Sequence, residues 1–268
     1  MPTLSPTRHP LETAGRIGYA FKGVLYVLLG VLAVDTALDG GDTEGQRGAL
    51  QAVAESSFGS VLLTLLSIGL AAYALWRLAL AALDPEGEGS DAGGVVHRIG
   101  YVVSGVSYGL LALAAYRILQ GSGDGSGDGA EQGARTALSL PGGRWVLALV
   151  ALAVLGYGVW ELVRAQRGSF MDKLALDGEA SRHRGTIRHL GQAGLAARGV
   201  VYSLIGFALG VAAYQSDPDE AMGLDGALTA LKEQSYGDVL LGVIGLGLAA
   251  YGLYCGVNAR YRRFEGRQ

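Results

Sequence analysis

Six tyrosines lie inside long apolar stretches of the chain, in two sets of three: Tyr26, Tyr108 and Tyr202, and Tyr73, Tyr157 and Tyr251. A phenol in an apolar medium needs a hydrogen-bond partner, so these side chains either bridge helices or line a polar cavity that a ligand can enter. Ionisable residues keep fixed company with them. One helical turn after the second set come Arg77, Glu161 and Cys255, and one turn before the first set come Lys22, Ser104 and Arg198. Charges within membrane helices mark function by default, with a partner to be named, and Arg77 and Glu161 are opposite charges at equivalent places. The spacing predicts an Arg77–Glu161 ion pair at the inner end of a helix ring; the competing expectation is that both snorkel from helix ends. Lys22 and Arg198 are expected near the inner boundary, reaching lipid phosphates, with capture of a substrate anion as the sharper reading.

No catalytic constellation accompanies them. His9, His97, His183 and His189 never fall at helical ligand spacing, and there is no His-Glu-x-x-His, nucleophile elbow, P-loop or dinucleotide fingerprint. Catalytic residues, cofactor sites and metal sites are therefore expected to be none, and the chain is not expected to be an enzyme. Asp124, Ser126, Asp128 and Gly129 imitate the start of a calcium loop, but Arg135 stands where the bidentate glutamate must be. The single Cys255 can form no intrachain disulfide. The chain shows no nucleic-acid module, and topology accounts for its arginines.

The elements that position these residues repeat. Gly18, Gly23, Val24 and Tyr26 return as Gly100, Gly105, Val106 and Tyr108, and again as Gly194, Gly199, Val200 and Tyr202. A second signature, Tyr-x-x-aromatic, follows each tyrosine by 47 to 49 residues, ending in Trp76, Trp160 and Tyr254. Recurrence in the same order sets the architecture. The repeats run over 16–83, 98–165 and 192–258 of a single transmembrane domain, 1–268, with an inter-repeat loop at 166–191. Gly23, Gly105, Gly199, Gly109, Gly206 and Gly210 supply the small residues that let helices approach closely in lipid, the last three and Gly105 in small-xxx-small spacing.

Half of the 268 residues are hydrophobic and 17% are charged, outside the usual balance of a soluble domain. Six apolar runs, near 17–38, 58–83, 95–119, 145–165, 194–214 and 239–257, each approach the ~20 residues that span ~30 Å of hydrocarbon. A β-barrel is excluded, because its strands alternate over about ten residues. The predicted fold is an all-α integral membrane six-helix bundle of three tandem two-helix repeats with pseudo-threefold symmetry. With both termini inside, sixteen of the 21 lysines and arginines fall on the inner side, which predicts cytoplasmic termini. The first run carries the repeat signature and is expected to be retained rather than cleaved as a signal. Segments 48–53 and 226–231 are expected as short amphipathic helices on the outer side, and 170–176 as a helix on the inner surface.

These signatures, carried over residues 16 to 258, resemble a bacterial membrane-protein family called domain of unknown function 1206. The resemblance implies a six-helix inner-membrane protein without an established activity, and it supplies no functional residues. The third copy departs from it with Gln192 for arginine and Tyr254 for tryptophan. The expected function is non-enzymatic: binding of a lipid or apolar small molecule along the tyrosine-lined axis, or an accessory role to a partner docked on loop 166–191. The alternative is a small-solute or ion transporter or channel with an Arg77/Glu161 inner gate. Membrane lipids are the expected partners, nucleic acid is not, and the oligomeric state is left open.

Overall fold

The computed structural model describes residues 8–39, 46–55, 58–84, 89, 92–121 and 129–263. The glycine-rich segment with Asp124, Ser126 and Asp128 lies outside the described residues. Six helices are long and apolar enough to cross a membrane: α1 (Arg8–Asp39), α3 (Gly59–Leu83), α4 (Ala92–Leu119), α6 (Gly143–Arg167), α8 (Arg184–Gln215) and α10 (Gly237–Tyr261). Short helices α2 (Gln46–Glu55), α5 (Gly129–Leu138) and α9 (Leu224–Lys232) join the two spans of each repeat at one face of the bundle, and α7 (Glu179–Arg182) lies at the other. Among the described residues there is no β-strand, only an isolated antiparallel bridge between Leu174 and Arg262. The chain is thus an all-α six-helix bundle with the architecture of a multi-pass membrane protein.

The tightest helix pairs lie between repeats, not within them. The second span of each repeat packs along the first span of the next: α3 on α4, α6 on α8, and α10 back on α1. Within repeats one and three, α1 meets α3 and α8 meets α10, whereas α4 and α6 of repeat two barely touch. The six helices therefore form an open ring in the order α4, α3, α1, α10, α8, α6.

The amphipathic segments fold as expected at α2 and α9, which bury Ala49, Leu50 and Val53, and Ala227, Leu228 and Leu231. A third such helix, α5, occurs in repeat two, where none was expected. Its Arg135 forms ion pairs with Glu131 and Asp219, a use incompatible with the ligand position of a calcium loop. Gly59, Gly143 and Gly237 begin the second spans because a side chain there would strike the backbone of Ala54, Ala137 and Lys232 in the helix above.

Loop 166–191 differs from its expectation. Gly168, at φ 70°, ends α6 in the left-handed conformation that glycine adopts without penalty. A single 3-10 turn, Ser169–Lys173, then tucks inward and buries Phe170 and Met171, so segment 170–176 is no surface helix. Phe170 fills the space at Gly191, its ring meets Tyr254 edge-on, and its carbonyl accepts from the Tyr254 hydroxyl at 3.3 Å. Ala175 N–H donates to the Tyr261 carbonyl and Arg263 N–H to that of Lys173, tying the loop to the end of α10. The α8 helix also starts at Arg184, ahead of the repeat signature.

Candidate functional site

The glycines and tyrosines of the repeat signature meet at the three inter-repeat seams. Each first-span tyrosine packs edge-to-face on the second-span tyrosine of the preceding repeat: Tyr26 on Tyr251, Tyr108 on Tyr73 and Tyr202 on Tyr157, with centroids 4.8, 4.8 and 5.1 Å apart. Such pairs contribute roughly 0.5–1.5 kcal/mol beyond the area they bury. A turn earlier on each first span, Gly23, Gly105 and Gly199 allow the approach, since a methyl group would lie 2.8 Å from the Gly252 carbonyl, 3.1 Å from that of Ala74 and 2.9 Å from that of Gly158. Gly206 is equally confined by the backbone of Leu155. Gly109 and Gly210 are not: each faces an alanine methyl at ordinary contact distance, 3.8 and 3.9 Å, so the small-xxx-small spacing marks one tight position in each pair.

The ionisable layer is arranged differently from the sequence expectation. Glu161 is fully buried, accepting from the Tyr157 hydroxyl at 2.9 Å, Arg164 at 3.4 Å and Arg198 at 3.5 Å. Arg77 instead donates Nε to Ser104 at 3.2 Å and lies over the rings of Tyr73, Trp76 and Tyr101. The Arg77–Glu161 pair is therefore replaced by an Arg198–Glu161 pair, because α6 packs on α8 and α3 on α4. Neither Lys22 nor Arg198 snorkels to the boundary. Lys22 is buried, donates Nζ to the Tyr73 hydroxyl at 3.1 Å, and sits within 6 Å of the rings of Tyr26, Tyr73, Tyr108 and Tyr251. Arg198 stacks over Tyr251 at 4.2 Å and reaches the Tyr157 and Tyr202 hydroxyls at 3.3 and 3.4 Å. Cation–π contact with desolvated rings offsets part of the cost of burying these cations, about 2 kcal/mol each at best.

A cavity of about 210 Å³ opens beside this layer. Tyr26, Tyr108, Tyr202 and Arg198 give it a polar floor, and Leu111, Val201, Ile205, Leu224 and Leu248 give it apolar walls. On this floor the Tyr108 hydroxyl donates to that of Tyr26 at 3.5 Å. Tyr251, against which Arg198 stacks, lies fourteen residues below Gly237, roughly 21 Å along α10 at 1.5 Å per residue. The floor is thus deep within the span.

Repeat two exposes what the others bury. Trp76 and Tyr254 are 2% and 4% exposed, but their counterpart Trp160 is 44% exposed, and Tyr157 is 36% exposed. A methyl at Gly18 would strike Tyr73 and one at Gly194 would strike Tyr251, while one at Gly100 would meet nothing within 4 Å. The first tyrosine set and Arg198 therefore converge on the cavity, while Tyr73 and Tyr251 stand behind it as packing partners. The sequence reading missed the depth of Lys22 and Arg198; their position one turn before the axial tyrosines was the signal.

The family described as Domain of Unknown Function (DUF1206) matches this chain three times, over residues 17–84, 99–168 and 193–262. An uncharacterized protein of Bacillus subtilis (strain 168), YxxB, is 33% identical over 256 residues, which cover 96% of this chain and 93% of that protein. No solved structure matches the chain.

Proposed function

The chain belongs to the DUF1206 family, and from that membership and the geometry above we propose that it is a non-enzymatic membrane protein that binds a small apolar or amphipathic molecule at the axis of its helix ring. The observation that carries this reading is the cavity floored by three repeat-equivalent tyrosines, with polar groups converging on an otherwise apolar space inside the spans. Binding sites of small molecules have this make-up. On the charge asymmetry of its loops the chain is read as a protein of the bacterial inner membrane with cytoplasmic termini. The folded loop 166–191 stays on the terminal side as the place for a protein partner.

Native mass spectrometry of protein released from mild detergent tests the reading. A retained mass in one-to-one amount, lost in Tyr108→Phe, is the expected result; a clean unliganded protein from every detergent sinks it and leaves the accessory role. Solute transport is the second reading, and it draws on the buried Lys22, Arg198 and Glu161, since intramembrane charge marks transport pathways. Its gate is not an Arg77–Glu161 pair, and flux into proteoliposomes is its test.

A further inference from the structure

Resting on the reading of the cavity as a binding site, we propose that its ligand is a chain-bearing anion, a carboxylate or phosphate on an acyl or alkyl tail, seated on Arg198 and admitted through the gap between α4 and α6.

The charge count points to an anion. Among the described residues around the cavity floor and its ionisable layer, the spans hold the cations Lys22, Arg77, Arg198 and Arg164 against one carboxylate, Glu161. Lys22 and Arg77 bond to neutral hydroxyls, and Glu161 is already shared between Arg198 and Arg164. An uncompensated charge in a low-dielectric interior is costly, so an incoming anion is favoured by the whole layer. Arg198 also keeps a donor in hand. It is 5% exposed, its side chain lines the cavity, and its Nε is buried with no hydrogen-bond partner. A guanidinium edge with a free donor, beside tyrosine hydroxyls, is suited to a planar carboxylate or a phosphate oxygen.

The tail follows from the walls and the gap. A space of about 210 Å³ equals roughly seven waters at ~30 Å³ each, enough for a headgroup and a few methylenes but not for a long chain. The remainder needs an exit. The walls include Leu111 of α4 and Val201 and Ile205 of α8, the helix on which α6 packs, and the break between α4 and α6 is where Gly100, Tyr157 and Trp160 face outward. In repeats one and three the corresponding seam is closed by Phe21 against Gly69 and by Ala197 against Gly247. The equivalent residues of repeat two, Val103 and Ala153, are both exposed. A tail lying between them reaches the bilayer without leaving an apolar environment.

The test uses the full-length protein, stripped by detergent exchange, with four probes: hexadecanoate, hexadecyl phosphate, hexadecanol and inorganic phosphate. One-to-one retention in native mass spectra and the accompanying rise in melting temperature are the readouts. Both anionic amphiphiles are expected to bind at least tenfold more tightly than hexadecanol and than inorganic phosphate. Arg198→Gln is expected to abolish that preference and Arg198→Lys to keep part of it. Should the glutamine variant fail to fold, the probe comparison on the wild type still decides the matter. Hexadecanol retained as tightly as hexadecanoate overturns the anion seat while the binding function stands, and retention of none of the amphiphiles by folded protein overturns the binding reading itself. Inorganic phosphate as tight as hexadecyl phosphate makes the tail idle and overturns the portal.

The portal has its own arm. Val103→Cys with Ala153→Cys, in a Cys255→Ser background, is joined by oxidation or a short bis-maleimide. Uptake of hexadecanoate is expected to slow at least tenfold when joined and, for the disulfide, to recover on reduction. Uptake unchanged by the cross-link, or a pair that neither reagent can join, overturns entry between α4 and α6.

Discussion

Three glycines identical in sequence offer an internal control on the open ring. Gly18, Gly100 and Gly194 occupy the same place in their repeats, yet only the first and last are pressed against a neighbouring helix. In Gly18→Ala the new methyl falls 2.6 Å from the Tyr73 Cα, and in Gly194→Ala it falls 2.5 Å from that of Tyr251. Main chain cannot swing aside as a side chain does, so the helices must part. Overpacking of this kind costs about 1–3 kcal/mol, and backbone obstruction places these sites at the upper end. Alanine returns up to ~1 kcal/mol through its helix propensity, leaving a net loss of about 2 kcal/mol at each site. At Gly100 the obstruction is absent and only the propensity gain remains, so Gly100→Ala is expected to be neutral or slightly stabilised. At roughly 2 °C per kcal/mol for a chain of this size, the outer variants should melt about 4–6 °C below Gly100→Ala. Thermal unfolding in one detergent, followed by far-ultraviolet circular dichroism, reads the difference. A Gly100→Ala variant as unstable as the other two would mean that α4 does pack on α6, and the portal would have no structural basis.

Two other seams make separate predictions. In double-mutant cycles, Glu161→Gln should lose roughly 3 kcal/mol alone and couple to Arg198→Met by about 1 kcal/mol or more, while its effect and that of Arg77→Met add within ~0.5 kcal/mol. Denaturant unfolding in micelles measures all the arms, and coupling confined to Arg77 would restore the pair expected from the repeat alignment. Tyr254→Phe removes the hydroxyl that holds the Phe170 carbonyl, and should cost about 1 kcal/mol while raising protease cleavage in loop 166–191; an unchanged cleavage rate would show that Phe170 alone anchors the turn.

Periodicity carried the architecture because the glycine and the tyrosines that meet at each inter-repeat seam have jobs that only their own types perform. Gly23, Gly105 and Gly199 are tight, and each tyrosine of one set meets one of the other. The pairing itself was hidden. Hydrophobicity does not say which helix face points inward when lipid and core are both apolar, so repeat alignment placed Arg77 opposite Glu161, where ring order gives Glu161 to Arg198. The same limit placed Lys22 and Arg198 at the boundary: Lys22 is held by an aromatic cage with no opposite charge beside it among the described residues, and Arg198 by a carboxylate on a helix that the repeat alignment did not bring to it.

The break in the ring, by contrast, has a signal in the chain. One turn before the second-span tyrosine stands Gly69 in repeat one and Gly247 in repeat three, but Ala153 in repeat two. A methyl at Gly69 would fall on the Phe21 ring, and one at Gly247 on the Ala197 methyl. The corresponding partner in repeat two is the β-branched Val103, so side-chain volume at 103 and 153 is expected to keep apart helices that a glycine would let meet. Removing both obstacles, as Ala153→Gly with Val103→Ala, should allow α4 to settle on α6 and bring Trp160 into the protein interior. Brominated-lipid quenching in a Trp145→Phe background reads this, because Trp76 is already buried and Trp160 is then the exposed indole of the chain's remaining two. Quenching should fall by at least half, and hexadecanoate uptake should slow with it. Undiminished quenching would show that side-chain volume at 103 and 153 does not hold the gap open, and the cause would then lie in the helix-to-helix connection of repeat two.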